Sequence, residues 1–217
     1  MRAVDLIAQG RDADVFAVDQ FRVLRRYRAG GDTAREAEVM RYVGSHGYPV
    51  PAVYAASGSD LVLERIAGPT LLAALASGSV AVREASQLLA DLHSRLHSIP
   101  PRATARHPVV HLDLHPDNVM LGPRGPVVID WRNAADGSPA VDLAVTAVIA
   151  ALVALDDEHP LASGAREMVP AFICASDVGL VDGLPGALAL RRADPKLTTA
   201  EKFRLSDAEA LIRALAG

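Results

Sequence analysis

Two short stretches, His111-Leu-Asp-Leu-His-Pro-Asp-Asn118 and Val127-Val-Ile-Asp130-Trp131, constrain this chain more than any other part of it. Apolar, β-prone residues lead into each, and a Gly-Pro-Arg-Gly turn lies between them, so Val109–Asp130 reads as a strand–loop–strand–turn–strand unit. Such a unit delivers Asp113, Asn118 and Asp130 at the ends of strands, where loops present side chains to a ligand.

All three side chains offer hard oxygen donors suited to a cation such as Mg²⁺. One carboxylate can orient an attacking hydroxyl while a carboxamide and a second carboxylate hold the ion against nucleotide phosphates. That is the division of labour phosphoryl transfer requires. His111, Asp113 and His115 can also be read as a three-ligand cluster of a metallohydrolase, a reading that leaves Asn118 and Asp130 without a role.

Composition narrows the field. The 217 residues suffice for one large domain or two small lobes, and half are hydrophobic, so a substantial core is expected. A net charge of −4 with no Lys/Arg block argues against nucleic acid or an anionic membrane as partner. The single Cys174 excludes an intrachain disulfide framework and fits a reducing cytoplasm. The first residues lack the long apolar core of a secretion signal. The most apolar run, Leu143–Leu155, is too short to span a bilayer and reads as a buried helix. Nothing in the sequence speaks to oligomeric state.

The front of the chain reads as strands around one helix. Val4–Ala8, Val15–Val18 and Phe21–Arg25 are β-prone, the last two joined by an Asp19-Gln20 turn. A helix is expected from Thr33, because Thr33-x-x-Glu36 has the form of a capping box and Val39, Tyr42 and Val43 recur at helical spacing. Gly44 or Gly47 ends it before Pro49 and Pro51. Strands follow at Ala52–Ala56 and Leu61–Ile66, and Ala67-Gly68-Pro69-Thr70 marks a boundary. Beyond it the pattern is mainly helical. Ala85, Leu88, Leu89, Leu92 and Leu96 form one stripe, Asp142 opens the apolar helix, and Ser206-x-x-Glu209 predicts a last helix over 207–216.

With these elements in place, the chain resembles the aminoglycoside phosphotransferase family of the protein-kinase-like fold, which includes choline kinase-type small-molecule kinases. His111-x-Asp113-x-x-x-x-Asn118 matches the family's catalytic loop, and Val128-Ile-Asp130-Trp131 its metal-binding segment. Arg35-Glu-Ala-Glu-Val-Met-Arg-Tyr-Val43 with the later Pro49-Val-Pro51, and Leu96-His-Ser-Ile99, are also family phrases. The resemblance implies an α+β, bilobal kinase-like fold in a compact variant. A β-rich nucleotide-binding lobe would span 1–66, and a helical lobe with the catalytic loop and substrate site 67–217.

It further implies an ATP- and Mg²⁺-dependent transfer to a small-molecule hydroxyl, with GTP as the other candidate donor. Asp113 would be the catalytic carboxylate, and Asn118 and Asp130 the metal ligands. Arg25 would contact phosphate, held by Glu36, and the backbones of Glu64 and Ile66 would meet adenine. Arg25 stands where the family often has Lys, and the guanidinium is not equivalent to it. The turn Gln9–Asp14 carries one glycine and two acids where phosphate would lie.

Bland readings stand beside these. Glu36 is already explained by the capping box, with Glu38 as the spare acid, and Asp142 most simply caps its helix, although the resemblance also implies an acid here that braces the catalytic loop. His111 is read as a structural histidine and Trp131 as packing. His93 and His97 could form a metal pair but lack a third ligand. Asp136, Asp156, Asp157 and Glu158 either line a pocket for a cationic acceptor or are solvated. A catalytically weak nucleotide-binding module is the second reading of the whole.

Overall fold

The computed structural model describes residues 5–10, 12–103, 105–176 and 179–217. Val4 and Arg11, which belong to the expected first strand and the expected phosphate turn, lie outside them. Strands β1 (Asp5–Gln9), β2 (Ala13–Ala17) and β3 (Arg22–Tyr27) precede helix α1 (Thr33–Ser45), and β4 (Val53–Ser57) and β5 (Asp60–Glu64) follow it. Helices α2 (Leu71–Ala76) and α3 (Val82–His97) lead to the short strands β6 (Val109–Val110), β7 (Val119–Gly122), β8 (Gly125–Val128) and β9 (Ala135–Asp136). Helices α4 (Pro139–Ala154), α5 (Ala162–Ala175), α6 (Leu180–Ala193) and α7 (Thr199–Ala216) complete the chain. The fold is therefore α+β, rich in sheet in its front part and helical behind.

Packing divides the described residues into two compact units, those of Met1–Pro69 with Met120–Ala134, and Thr70–Val119 with Ala135–Gly217. The first holds an antiparallel sheet of order β1-β2-β3-β5-β4. Register sets Val23 opposite Leu63 and Arg25 opposite Leu61. Alternation then puts Val23, Arg25 and Tyr27 on one face with Leu61 and Leu63, which are buried. Helix α1 supplies the buried Val39, Met40 and Val43 to this core and packs on β4 and β5.

The start of α1 departs from expectation. Its N-cap is Asp32, whose carboxylate accepts the Ala34 N–H. The Thr33 hydroxyl instead donates to the carbonyls of Gly58 (3.0 Å) and Asp60 (3.1 Å). Thr33 is fully buried, so its hydroxyl must find a partner indoors, and the β4–β5 turn provides two. Glu36 is thereby released from capping. The helix stops where Gly47 takes φ +78, closing Gly47 N–H to the Gly44 carbonyl at 3.0 Å.

In the second unit α4 is buried along most of its length, packed by α3, α5, α6 and α7. A Cβ on Gly183 would come within 2.0 Å of the Ala140 carbonyl oxygen, so α6 can approach α4 this closely only with glycine there. Pro170 and Pro185 lie inside α5 and α6. The last helix begins earlier than expected, at Thr199 rather than Asp207. Two Ser/Thr-x-x-Glu phrases compete, and Thr198–Glu201 is the one that forms. Glu201 accepts the Thr198 N–H at 2.8 Å and Thr198 the Glu201 N–H at 3.2 Å. Ser206 and Glu209 are mid-helix, where Glu209 pairs with Arg213 one turn on.

Candidate functional site

Arg25 is the centre of a charge cluster in the first unit. Its side chain is largely buried beneath α1, with Nη1 donating to Glu36 Oε1 at 3.1 Å and Nη2 to Asp130 Oδ1. Burial opposes its charge, but Asp130 and Glu36 outweigh that and raise its pKa, so it stays cationic. Glu36 is buried too and takes a second bond from the Tyr27 hydroxyl at 2.5 Å. Burial pushes its carboxyl up against the opposing pull of Arg25 and Tyr27. Arg26, one residue along, faces the opposite side and pairs with Asp60 across the strand at 2.6 Å.

Asp130 leaves β8 in a left-handed conformation, φ 62 and ψ 65, and enters a short 3₁₀ turn over Trp131–Asn133. A non-glycine residue there is uncommon and is held only by its surroundings. Trp131 supplies them. It is buried edge-on to Tyr48 with ring centroids 5.6 Å apart, and its Nε1–H donates to the Val128 carbonyl at 2.9 Å. Packing was the expected role of Trp131.

Arginines from other segments neutralise the turn before β2. Arg28 binds Asp14 and also donates to the Gly10 carbonyl at 2.7 Å. Arg132 meets Asp12 at 3.2 Å. The two acids that would repel phosphate therefore each face a guanidinium. Tyr27 and Arg132 went unnoticed in the sequence, although Tyr27 is two residues beyond Arg25 and must share its face of the strand.

Glu64 and Ile66 stand apart from that cluster. The Glu64 carboxylate accepts Arg124 Nη2 at 2.6 Å and the Ala52 N–H at 3.2 Å. Ile66 lies just past β5, where the chain crosses the β7 backbone. Pro69 accepts the Leu121 N–H at 2.8 Å, and a Cβ on Gly68 would fall 2.1 Å from the Leu121 carbonyl oxygen.

The second unit carries Asp113 and Asn118 on a loop organised by Asp142. This residue does not cap α4, whose N-cap is Ser138. Its carboxylate is fully buried and accepts the backbone N–H of His111 at 3.0 Å and of Leu112 at 2.6 Å, with His97 Nε2 at 2.8 Å. Burial alone would raise its pKa, yet the His97 bond and the histidine charges lower it well below the ordinary carboxylate value. The capping expectation is thus corrected. An anion with this many donors braces the loop and holds Leu112 at φ 61, in the left-handed region disfavoured for a leucine.

Asn118 Nδ2 donates to the Asp113 carbonyl at 2.8 Å and so fixes the amide. Its other end, Oδ1, is the atom able to bind a cation. His115 packs along the loop, with Nδ1 accepting the Asp117 N–H at 3.3 Å and Nε2 4.0 Å from Asp113 Oδ1. His93 belongs to the core rather than to a metal pair. Its Nδ1 meets the Leu89 carbonyl at 2.8 Å, and burial pulls its pKa down to about 4.

Among the described residues no three His, Cys, Asp or Glu side chains gather as a metal-holding group. The cluster His111, Asp113 and His115 therefore lacks the geometry a hydrolytic zinc needs. Three of the four acids proposed for a cationic acceptor are engaged nearby. Asp136 binds Arg102 at 2.9 Å, Asp156 binds Arg204 at 3.0 Å, and Asp157 binds Arg166.

Asp130 already attracts a guanidinium to its carboxylate, so a positive group is favoured at that oxygen. Asn118, in the second unit, offers an oxygen of the hard kind Mg²⁺ prefers. Among the described residues no helix is long and apolar enough to cross a membrane.

Comparison with known proteins agrees with the fold. The chain superposes on the Plasmodium vivax ethanolamine kinase with a TM-score of 0.61 at 11% identity, covering 97% of this chain and 83% of that one. It matches the streptomycin–ATP–APH(2")-IIa ternary complex with a TM-score of 0.58 at 13% identity, covering 99% and 93%. For an amicoumacin kinase in complex with AMP-PNP, Ca²⁺ and its antibiotic, the TM-score is 0.53 at 13% identity, covering 97% and 88%. No curated protein sequence matches. The model of the family described as phosphotransferase enzyme family (APH) matches residues 4–107 and 102–167, most of the sequence. The chain belongs to this phosphotransferase family.

Proposed function

We propose that the protein transfers the γ-phosphoryl group of ATP, with Mg²⁺, to a hydroxyl of a small molecule of the aminoglycoside, choline or sugar kind, with GTP as the alternative donor. The observation that carries this reading is the buried Arg25, held between Glu36 and Asp130. A cation buried this way needs paired carboxylates to remain charged. A polyphosphate is the ligand such a fork is shaped to bind.

In this reading Asp113 orients the acceptor hydroxyl and takes its proton late, since an alcohol is a weak acid and positioning dominates in a loose transition state. Asn118 and Asp130 hold the metal, which when bound neutralises phosphate charge that repels the nucleophile. The backbones of Glu64 and Ile66 meet the adenine. Residues 1–66 serve the nucleotide, while 67–217 carry the catalytic loop and the acceptor site. The cytoplasm is the assigned compartment.

A coupled ADP-release screen over amino alcohols, aminoglycosides, sugars and nucleoside-like compounds tests this, with Asp130→Ala as the blank. The expected result is Mg²⁺-dependent release that Asp113→Ala lowers by about 10³-fold while nucleotide affinity is kept. Normal turnover in Asp113→Ala would remove it from its role. One observation favours the weaker module: Arg25 sits directly on the carboxylate assigned to the metal. Tight nucleotide binding in calorimetry with no transfer to any compound would select that reading.

A further inference from the structure

Two guanidinium groups flank Tyr27. Arg25 Cζ lies 4.9 Å from its ring centroid and Arg132 Cζ lies 4.5 Å from it. The ring cannot drift, because the hydroxyl is bound to the buried Glu36 at 2.5 Å. Tyr27 is therefore a fixed platform that both arginines approach at cation–π distance. Arg25 is the residue already assigned to phosphate. Arg132 is two residues past Asp130, on the same platform, with no part in that assignment.

Arg28, just past β3, holds Asp14 and the Gly10 carbonyl together. Arg132 meets Asp12 at 3.2 Å, with both side chains partly open to water. An ion pair open to water in this way is weakly held and easily exchanged. Asp12 presents one carboxylate where a polyphosphate would present several oxygens and more charge, and a guanidinium prefers the latter.

We infer that Arg132 is a second phosphate-contacting residue, and that Asp12 is its resting counter-ion, displaced when a nucleoside triphosphate binds. The inference rests on the phosphotransferase reading above and extends it to a residue that reading leaves out. It makes Asp12 an inhibitor of nucleotide binding rather than a support of it. Triphosphate charge is the recognised feature, so adenosine is indifferent to the pair.

Calorimetric titration of the full chain with ATP, inorganic tripolyphosphate and adenosine tests this without reference to turnover. Arg132→Met is expected to weaken ATP and tripolyphosphate by about tenfold or more, the loss of one charge-assisted contact, and to leave adenosine unchanged. Arg132→Lys keeps part of the affinity. Asp12→Asn is expected to tighten ATP several-fold, the sign opposite to that of a structural pair. Unchanged or weaker ATP binding in Asp12→Asn, or equal losses of ATP and adenosine in Arg132→Met, would overturn the inference while wild-type ATP binding stands. Failure of the wild-type chain to bind ATP at all would instead bring down the phosphotransferase reading, and this extension with it. Thermal melts of each variant separate these results from unfolding.

Discussion

Arg25 shows how much one side chain can decide here. Removing it leaves Glu36 buried beside Tyr27 with no cation, and an uncompensated buried charge costs several kcal/mol. Arg25→Met should therefore lower stability by about 3 kcal/mol in urea unfolding. Arg25→Lys should cost less, because an ammonium keeps the charge while losing the fork that reaches both Glu36 and Asp130. Equal stability of Arg25→Met and wild type would mean the pair carries no weight. At this scale the sequence was informative where identity and spacing coincide. Asp113, Asn118 and Asp130 stand in contiguous phrases, and Arg25 directly follows Val23-Leu24 in β3. It was ambiguous for Glu36, because capping and ion pairing ask for the same residue type. Tertiary contacts chose between them when Thr33 turned to the Gly58 and Asp60 carbonyls. Arg132 was invisible because its partner, Asp12, is remote in sequence.

The elements that matter most are the loop of Asp113 and Asn118 and the helices behind it. Asp142 holds the loop from α4, and α3 contributes His97 to the same carboxylate. Asp142→Asn keeps the size but faces two backbone donors with a weaker acceptor. It should cost about 2–3 kcal/mol and lower turnover through a displaced Asp113. A variant as stable and active as wild type would show that the brace is dispensable. His93, one turn before His97, gives the fold a pH dependence. Folded His93 resists protonation down to about 4, whereas the unfolded side chain takes a proton near 6.5. Stability is therefore full above the unfolded value and declines as pH falls from there toward the folded one. From pH 7 to 5 the loss is about 2 kcal/mol. Asp142, whose folded pKa is lowered, adds a further loss only below its unfolded value of 3.8. His93→Gln should flatten the decline between pH 7 and 5 in urea titrations, and an unchanged slope would place its origin elsewhere. Helices α5 and α6 escaped element-by-element reading because Pro170, Pro185 and the glycines beside α4 interrupt the periodic pattern. Burial against α4 sustains them where local propensity does not.

For the molecule as a whole, the front of the chain was legible because strand alternation, breakers and one helix leave few arrangements. The return of Met120–Ala134 to pack with the first unit was not, since turn chemistry says where a hairpin bends and not what it joins. That return puts Asp130 beside Arg25, while Asp113 and Asn118 belong to the other unit. The central claim is that Asn118 and Asp130 serve a single divalent ion with the nucleotide. Paramagnetic titration with Mn²⁺ in place of Mg²⁺, with and without a non-hydrolysable ATP analogue, measures this directly. The account predicts one nucleotide-dependent Mn²⁺ site per chain, lost in Asn118→Ala and in Asp130→Ala, with no further loss in the double variant. Nucleotide-dependent Mn²⁺ binding that survives in either single variant would contradict it.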